Sequence, residues 1–321
     1  MKSNSEIKKE AIEVLQLEAK ALEALTKKIT DDFAEVVNMI LNLNGRVIVS
    51  GIGKSAIIAQ KIVATLNSTG TPSIFMHAAD AIHGDLGIIQ EDDLVVLISK
   101  SGNTPEIKVL IPFLKQAKNK LVAIVGNLTS FLAQQADYVL DTTVEREACP
   151  NNLAPTTSTT AQLAMGDALA VCLQTLRQFT DRDFAKYHPG GALGKQLYLK
   201  VSDLSTNNGR PAVLATDDIR NTIITITKFR LGATVVTEDD KIIGIITDGD
   251  IRRMLENHDD TSNLTAKDIM SANPRQIEEG ELAINAFHKM KDNNISQLVV
   301  VSDSKYAGII HIQDLLKEGI I

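Results

Sequence analysis

The chain has 321 residues, more than one compact core usually takes, so about two domains are expected. Hydrophobic residues at 44% and charged residues at 23% exclude a disordered or fibrous chain, and aromatics at 4% with no Trp disfavour a stacking platform for single-stranded nucleic acid. A net charge of −7 argues against a polyanion partner, and two cysteines, Cys149 and Cys172, are too few for a disulfide framework.

The first residues, Met1 to Glu6, lead into mixed charge rather than an apolar signal segment, and no apolar run approaches the roughly 20 residues that span a bilayer. The chain therefore reads as a soluble, cytoplasmic protein with no membrane or nucleic-acid partner. From Ile7 to Leu43 apolar residues (Ile12, Leu15, Leu22, Leu25, Ile29, Phe33, Val36, Ile40) recur three or four apart, which predicts two amphipathic helices. Short runs at Val47–Val49, Ser73–Phe75, Leu94–Ile98, Val122–Val125 and Tyr138–Leu140 follow, each nearly all apolar, as in strands buried on both faces of a parallel sheet. Helical stretches at Lys54–Asn67 and Pro105–Lys118 separate several of them, and another at about Ser158–Gln178 closes the domain. This alternation predicts a doubly wound α/β fold with a five-stranded parallel sheet over residues 1–198.

The Ser-, Asn- and Gly-rich segment Leu199–Pro211 reads as a junction, after which the chain repeats. Val235–Glu238 and Gly244–Ile251 recur as Val299–Ser302 and Gly308–Leu315, and Val201–Leu204 aligns with Ala266–Ile269. Residues 199–321 thus hold two copies of a β-β-α unit, about 201–258 and 266–321. One copy cannot bury its sheet alone, so the two are expected to pack together.

Five loops carry candidate chemistry. Gly51-Ile52-Gly53-Lys54-Ser55, between a strand and a helix, offers free N–H groups and a cation to an anion. It lacks the earlier glycine of a Walker A loop, and its match to G-x-G-x-x-A has no acidic partner, since His77 ends the next strand. In Ser99-Lys100-Ser101-Gly102-Asn103-Thr104-Pro105-Glu106 the hydroxyls and amide exceed what one helix cap needs, which points to a phosphate. Ala81-Ile82-His83-Gly84-Asp85 adds a second histidine near His77, without tight metal-ligand spacing. Glu145 to Thr160 brings Glu147 and Cys149 ahead of a hydroxyl run; no Cys-His pairing is legible, so Cys149 reads as structural. Tyr187-His188-Pro189-Gly190-Gly191 would present His188 from a stiff turn.

Together these segments, with Ser68-Thr69-Gly70-Thr71-Pro72, Leu153-Ala154-Pro155-Thr156 and the repeats, resemble the arabinose-5-phosphate isomerases: a sugar isomerase (SIS) domain followed by two cystathionine-β-synthase (CBS) motifs. The resemblance covers the chain from its first helices to its end. It implies interconversion of D-arabinose 5-phosphate and D-ribulose 5-phosphate through an enediol, feeding the eight-carbon acid sugar Kdo of lipopolysaccharide or a capsule sugar. No cofactor is implied. A homotetramer with pockets shared between subunits is. The positions matching catalytic ones are Lys54, Glu106, Glu147 and His188. Glu147 is expected as carbon base, His188 as proton relay or ring opener, Lys54 as oxyanion stabiliser and Glu106 as its partner or a co-base. Ser99, Ser101, Asn103 and Thr104 are expected on the phosphate, with Ser55, His83, Gly70 and Thr71 lining the sugar site. His77 matches a position that binds inhibitory zinc. In the CBS pair, Thr247, Asp250 and Asp314 match contacts to a nucleotide or nucleotide-sugar, His311 replacing the second Thr.

Two segments depart from the family pattern. Its phrase around Ser99 reads nearer Ser-Asn-Ser-Gly-Glu, against Ser99-Lys100-Ser101-Gly102-Asn103 here, and Ala78-Ala79-Asp80 stands where Pro-Gly-Glu is common. Rival readings are another isomerase of the SIS superfamily and a non-enzymatic sugar-phosphate sensor. The N-terminal helices lack the basic recognition face such sensors carry, and the joint presence of Lys54, Glu106, Glu147 and His188 favours an enzyme.

Overall fold

The computed structural model describes residues 3–320. The chain divides into two compact units, one ending at Tyr187 and one starting at His188. The first begins with helices α1 (Asn4–Thr26) and α2 (Asp31–Leu41). Strands β1 (Val47–Gly51), β2 (Ser73–His77), β3 (Leu94–Ser99), β4 (Leu121–Val125) and β5 (Tyr138–Asp141) then form one sheet in the order β2-β1-β3-β4-β5, every pair parallel. Helices α3 (Lys54–Ser68), α4 (Ala78–Ala81), α5 (Pro105–Gln116), α6 (Phe131–Gln135), α7 (Thr157–Leu176) and α8 (Asp181–Tyr187) complete the unit. This is the five-stranded parallel architecture that the apolar runs predict.

Side chains alternate across a strand, so a strand apolar at every position must feed two cores. Val47, Val49, Leu94, Val96, Ile98, Val122 and Ile124 face a core shared with α2, α3 and α7, where Val36, Ile62 and Met165 are buried. Ile48, Val95, Leu97, Leu121, Ala123 and Val125 face the opposite core with Ile107, Leu110, Ile111 and Leu114 of α5. The short helices α4 and α6 carry four and five residues, too few for a helical period to register in sequence.

In the second unit, α9 (Ala192–Tyr198) and α10 (Val201–Ser205) precede two copies of one pattern. The first is β6 (Ala212–Leu214), α11 (Ile219–Phe229), β7 (Ala233–Glu238), β8 (Lys241–Thr247) and α12 (Asp248–Asn257). After α13 (Ala266–Ile269) and β9 (Ser271–Ala272) comes the second: β10 (Gln276–Glu278), α14 (Ala283–Asp292), β11 (Gln297–Ser302), β12 (Lys305–His311) and α15 (Ile312–Lys317). The sheets run β6-β7-β8-β9 and β10-β11-β12. Each copy thus opens with a strand and helix ahead of the β-β-α core legible in the repeat. Helix α9 lies in this unit, ahead of the expected junction: Lys195 reaches Glu318 at 2.9 Å and Gln196 the Ile320 carbonyl at 2.8 Å.

The two copies do pack together, through Leu231, Ala233 and Val235 of one and Val299, Val301 and Ile309 of the other. They also exchange their leading segments. Val201 and Leu204 of α10 are buried in the core of the second copy, whereas Ala266 of α13 is buried in that of the first. Backbone bonds fix the exchange: Val201 N–H to Glu281 O at 2.9 Å, Ala266 N–H to Asp217 O at 2.8 Å.

In the first unit α3 and α7 meet at Gly166, where a Cβ would stand 2.3 Å from Ile62 Cγ1. Gly166→Leu is expected to destabilise this unit by about 1–3 kcal/mol, more than the ~1 kcal/mol gained in helix propensity. Scanning calorimetry checks this; an unchanged melting transition would show that the helices can part without cost.

Candidate active site

Strands β1 and β3 are neighbours, but the chain leaves them on opposite faces: α3, after β1, packs into one core and α5, after β3, into the other. Beyond the carboxyl ends of two such strands the connecting loops diverge and open a crevice, where sheets of this kind bind ligands. A cavity of about 270 Å³ occupies that position. Its walls are Ile52, Lys54 and Ser55 from the first loop, Ile98 to Ser101 and Thr104 from the second, and Pro155, Ser158, Thr159 and Gln162 around the start of α7.

The backbone shapes the first two walls. Gly53, the N-cap of α3, has φ +59°, a conformation open to glycine, and places Lys54 at the first helical position. Ser55 donates to Gln162 Oε1 at 3.3 Å, tying α3 to α7. In the second loop Gly102 has φ +62° and lies so close to Ser130 that a Cβ would be 2.0 Å from its Oγ. Ser99 Oγ accepts from Gly102 N–H at 3.0 Å and pairs with Thr104 Oγ1 at 2.9 Å. Ser101 Oγ accepts from Asn103 N–H at 3.2 Å, and Asn103 Oδ1 accepts from Phe131 N–H at 3.2 Å. Ser99, Ser101 and Thr104 thus face the cavity, whereas Asn103 is engaged with the segment that starts α6.

Glu147 lies behind the cavity wall with its side chain 0% exposed. Its Oε2 accepts from the N–H of Thr156 (2.9 Å) and of Ser158 (3.1 Å) and from Thr156 Oγ1 (3.3 Å). Its Oε1 accepts from Ser158 Oγ and lies 2.5 Å from Lys100 Nζ. Thr156, the N-cap of α7, makes no side-chain cap of its own, so Glu147 caps this helix from a distance and meets its positive dipole end. Burial pushes the Glu147 carboxyl up, but Lys100, Ser158 and Thr156 outweigh it and hold the pKa down at about 2, against an ordinary 4.5. A base works best with a pKa near the working pH. The expectation that Glu147 takes the carbon proton therefore meets a carboxylate whose two oxygens are both engaged by donors in this structure. In the sequence Lys100 stands out as a departure from the family phrase and not as part of the site; no spacing signals its pairing with Glu147.

The other expected residues fall elsewhere. Glu106 sits in the first turn of α5, behind Pro105. Thr71 is buried, and Arg177 Nη1 donates to its Oγ1 at 2.5 Å and to the Gly70 carbonyl at 3.3 Å, so the Gly70–Thr71 turn braces the end of α7 outside the cavity. His83 is exposed in the loop after α4. His77 ends β2, its buried Nδ1 3.8 Å from an Asp80 oxygen. Among the described residues no three His, Cys, Asp or Glu side chains gather to hold a metal, and one imidazole with one carboxylate is half of zinc's tetrahedral set. His188 opens the second unit, its carbonyl accepting from Gly191 N–H at 3.1 Å. In the repeats, Thr247 Oγ1 bonds Asp250 at 2.6 Å in a capping box on α12, and Asp250 also holds Arg253 and Ser271. Asp314 accepts from His311 N–H at 2.9 Å and from Asn208 at 2.6 Å.

Residues 39–172 match the SIS domain family, and residues 201–257 and 266–320 match the CBS domain family. The arabinose 5-phosphate isomerase of Pseudomonas aeruginosa is 43% identical over 100% of this chain and 99% of its own length. That of Francisella tularensis is 42% identical over 96% and 95%. The chain belongs to the arabinose 5-phosphate isomerase family. A solved Escherichia coli structure, described as a complex with arabinose 5-phosphate, is 40% identical, covers 59% of this chain and all of that one, and has a TM-score of 0.57. Membership makes the chain an isomerase with SIS and paired CBS domains, and no helix of the described residues is long and apolar enough to cross a membrane.

The Glu147 web has a pH signature. A carboxyl whose folded pKa lies below its unfolded value stabilises the fold above about pH 4.5, and that stability is lost as pH falls through about 2. Thermal melts of wild type and Glu147→Gln should therefore differ most above pH 4.5 and converge towards pH 2. A constant gap across that range would show that Glu147 is not held ionised.

Proposed function

We propose that the cavity at the β1/β3 crevice is where this member of the family interconverts D-arabinose 5-phosphate and D-ribulose 5-phosphate. What carries the reading is the convergence of Lys54, Lys100 and the Ser99–Thr104 hydroxyls on one cavity in a chain whose full-length relatives bear the name of that activity. The reaction moves a proton between neighbouring carbons through an enediol. It needs a base, a proton route for the oxygens and a group that stabilises developing charge.

Lys54, at the first turn of α3, is placed to stabilise the oxyanion, with the Ser99, Ser101 and Thr104 hydroxyls on the phosphate. With the Glu147 oxygens engaged, Glu106 is taken as the carbon base on the resemblance; it stands in the first turn of the helix that follows the phosphate loop, outside the cavity walls named above. His188 takes the ring-opening or relay proton on the resemblance alone. The same holds for the destination of the product, an eight-carbon acid sugar of lipopolysaccharide or capsule, and for a nucleotide or nucleotide-sugar at the CBS pair. The homotetramer has support in Ile7, Ile12 and Leu15, apolar residues that α1 leaves exposed.

Purified protein incubated with ribulose 5-phosphate in heavy water should yield arabinose 5-phosphate carrying solvent deuterium at the carbon that receives the proton. Glu106→Gln should lower kcat by about a hundred- to ten-thousand-fold and abolish deuterium wash-in. Full exchange in that variant would remove Glu106 from the role, and no aldose from wild type would remove the reaction.

A further inference from the structure

The residue that neither the family phrase nor the sequence places in the chemistry is Lys100. Its side chain is 42% exposed and lines the cavity, while the Glu147 side chain it pairs with is 0% exposed. Glu147 already receives the N–H groups of Thr156 and Ser158 and both their hydroxyls, so its own desolvation is compensated from the α7 side. The ammonium is the partner gaining position: one end of the pair is fixed in a rigid helix terminus, the other stands in the cavity. The Lys100 carbonyl is fixed as well, accepting from Gly126 N–H at 3.1 Å, so the backbone of this residue spans the ends of β3 and β4. An ammonium has three N–H donors, and the pair with Glu147 uses one.

Resting on the isomerase reading of this cavity, we propose that Lys100 is a substrate-contacting residue, its ammonium held by Glu147 so that its remaining donors meet an anionic oxygen of the substrate's phosphate. Glu147 is then a positioning residue acting through Lys100. The local charge supports this: Lys54 and Lys100 stand at the cavity, and the Glu147 carboxylate is sequestered behind its wall. The neighbouring Ser99, Ser101 and Thr104 hydroxyls are the uncharged donors that phosphate sites combine with a cation.

The test uses the full chain and inorganic phosphate, titrated by calorimetry into wild type, Lys100→Asn and Lys100→Arg. Asparagine is the small amide of the phrase that this loop resembles, and melting curves verify folding; Lys100→Gln, a longer amide, replaces it if they do not. Loss of one charge-assisted hydrogen bond should weaken phosphate binding about tenfold or more, and arginine should restore most of it. The Michaelis constant for the pentose phosphate should rise in parallel with kcat changing far less, the pattern of a lost ground-state contact. Phosphate binding unchanged in Lys100→Asn, or no phosphate binding by wild type, would overturn the proposal and leave Lys100 as a counter-ion for Glu147. Wild type that binds phosphate through Lys100 yet turns over no pentose phosphate would uphold it and sink the isomerase reading instead.

Discussion

A carboxylate withdrawn from water has to find its whole solvation inside the protein, and Glu147 finds it at the start of α7. Much else follows from that requirement. The loop from Cys149 to Pro155 must fold back so that Thr156 and Ser158 present their N–H groups, and Glu147 N–H itself closes the loop on Asn152 at 2.7 Å. Ala148 N–H bonds the hydroxyls of Thr156 and Thr157, both at 3.0 Å. The third wall of the cavity thus depends on one buried charge as well as on the packing of α7, and Lys100 is tied to that charge.

The first unit was largely legible because its strands are buried on both faces. Periodicity alone does not tell an apolar run from a buried helix, but Leu94–Ile98 and Val122–Val125 are too short for one, rich in β-branched residues and bounded by polar turns. Residue type at a strand end was enough to bring out the lining of the candidate site: Lys54, Ser55, Ser99, Ser101 and Thr104 all reach the cavity. The site was not legible where a side chain's role depends on distant partners. The resemblance implies a sugar contact at Thr71, and nothing near it in the chain signals that Arg177, over a hundred residues later, donates to its hydroxyl. Lys100 and Glu147 face the same limit, since nothing local in either segment records the other.

In the repeats the polar residues that resemble ligand contacts also build helix starts. Thr247 with Asp250 and His311 with Asp314 each close a capping box, the second using imidazole Nδ1 to accept from Gln313 N–H at 3.0 Å. Burial lowers the His311 pKa against the opposing charge of Asp314. The substitution of His for Thr is therefore conservative in the job the backbone gives it, even though the two side chains share little else.

The crossed leading segments of the two repeats have a mechanical corollary. Leu199 accepts from Ala283 N–H, and α10 is clasped by the later copy before the chain ever enters the earlier one. Tension arriving along the polypeptide at residue 199 is delivered first to the copy farthest away in sequence. Each copy wears a piece of chain that belongs to its twin, so that loosening either one uncovers apolar side chains contributed by the other.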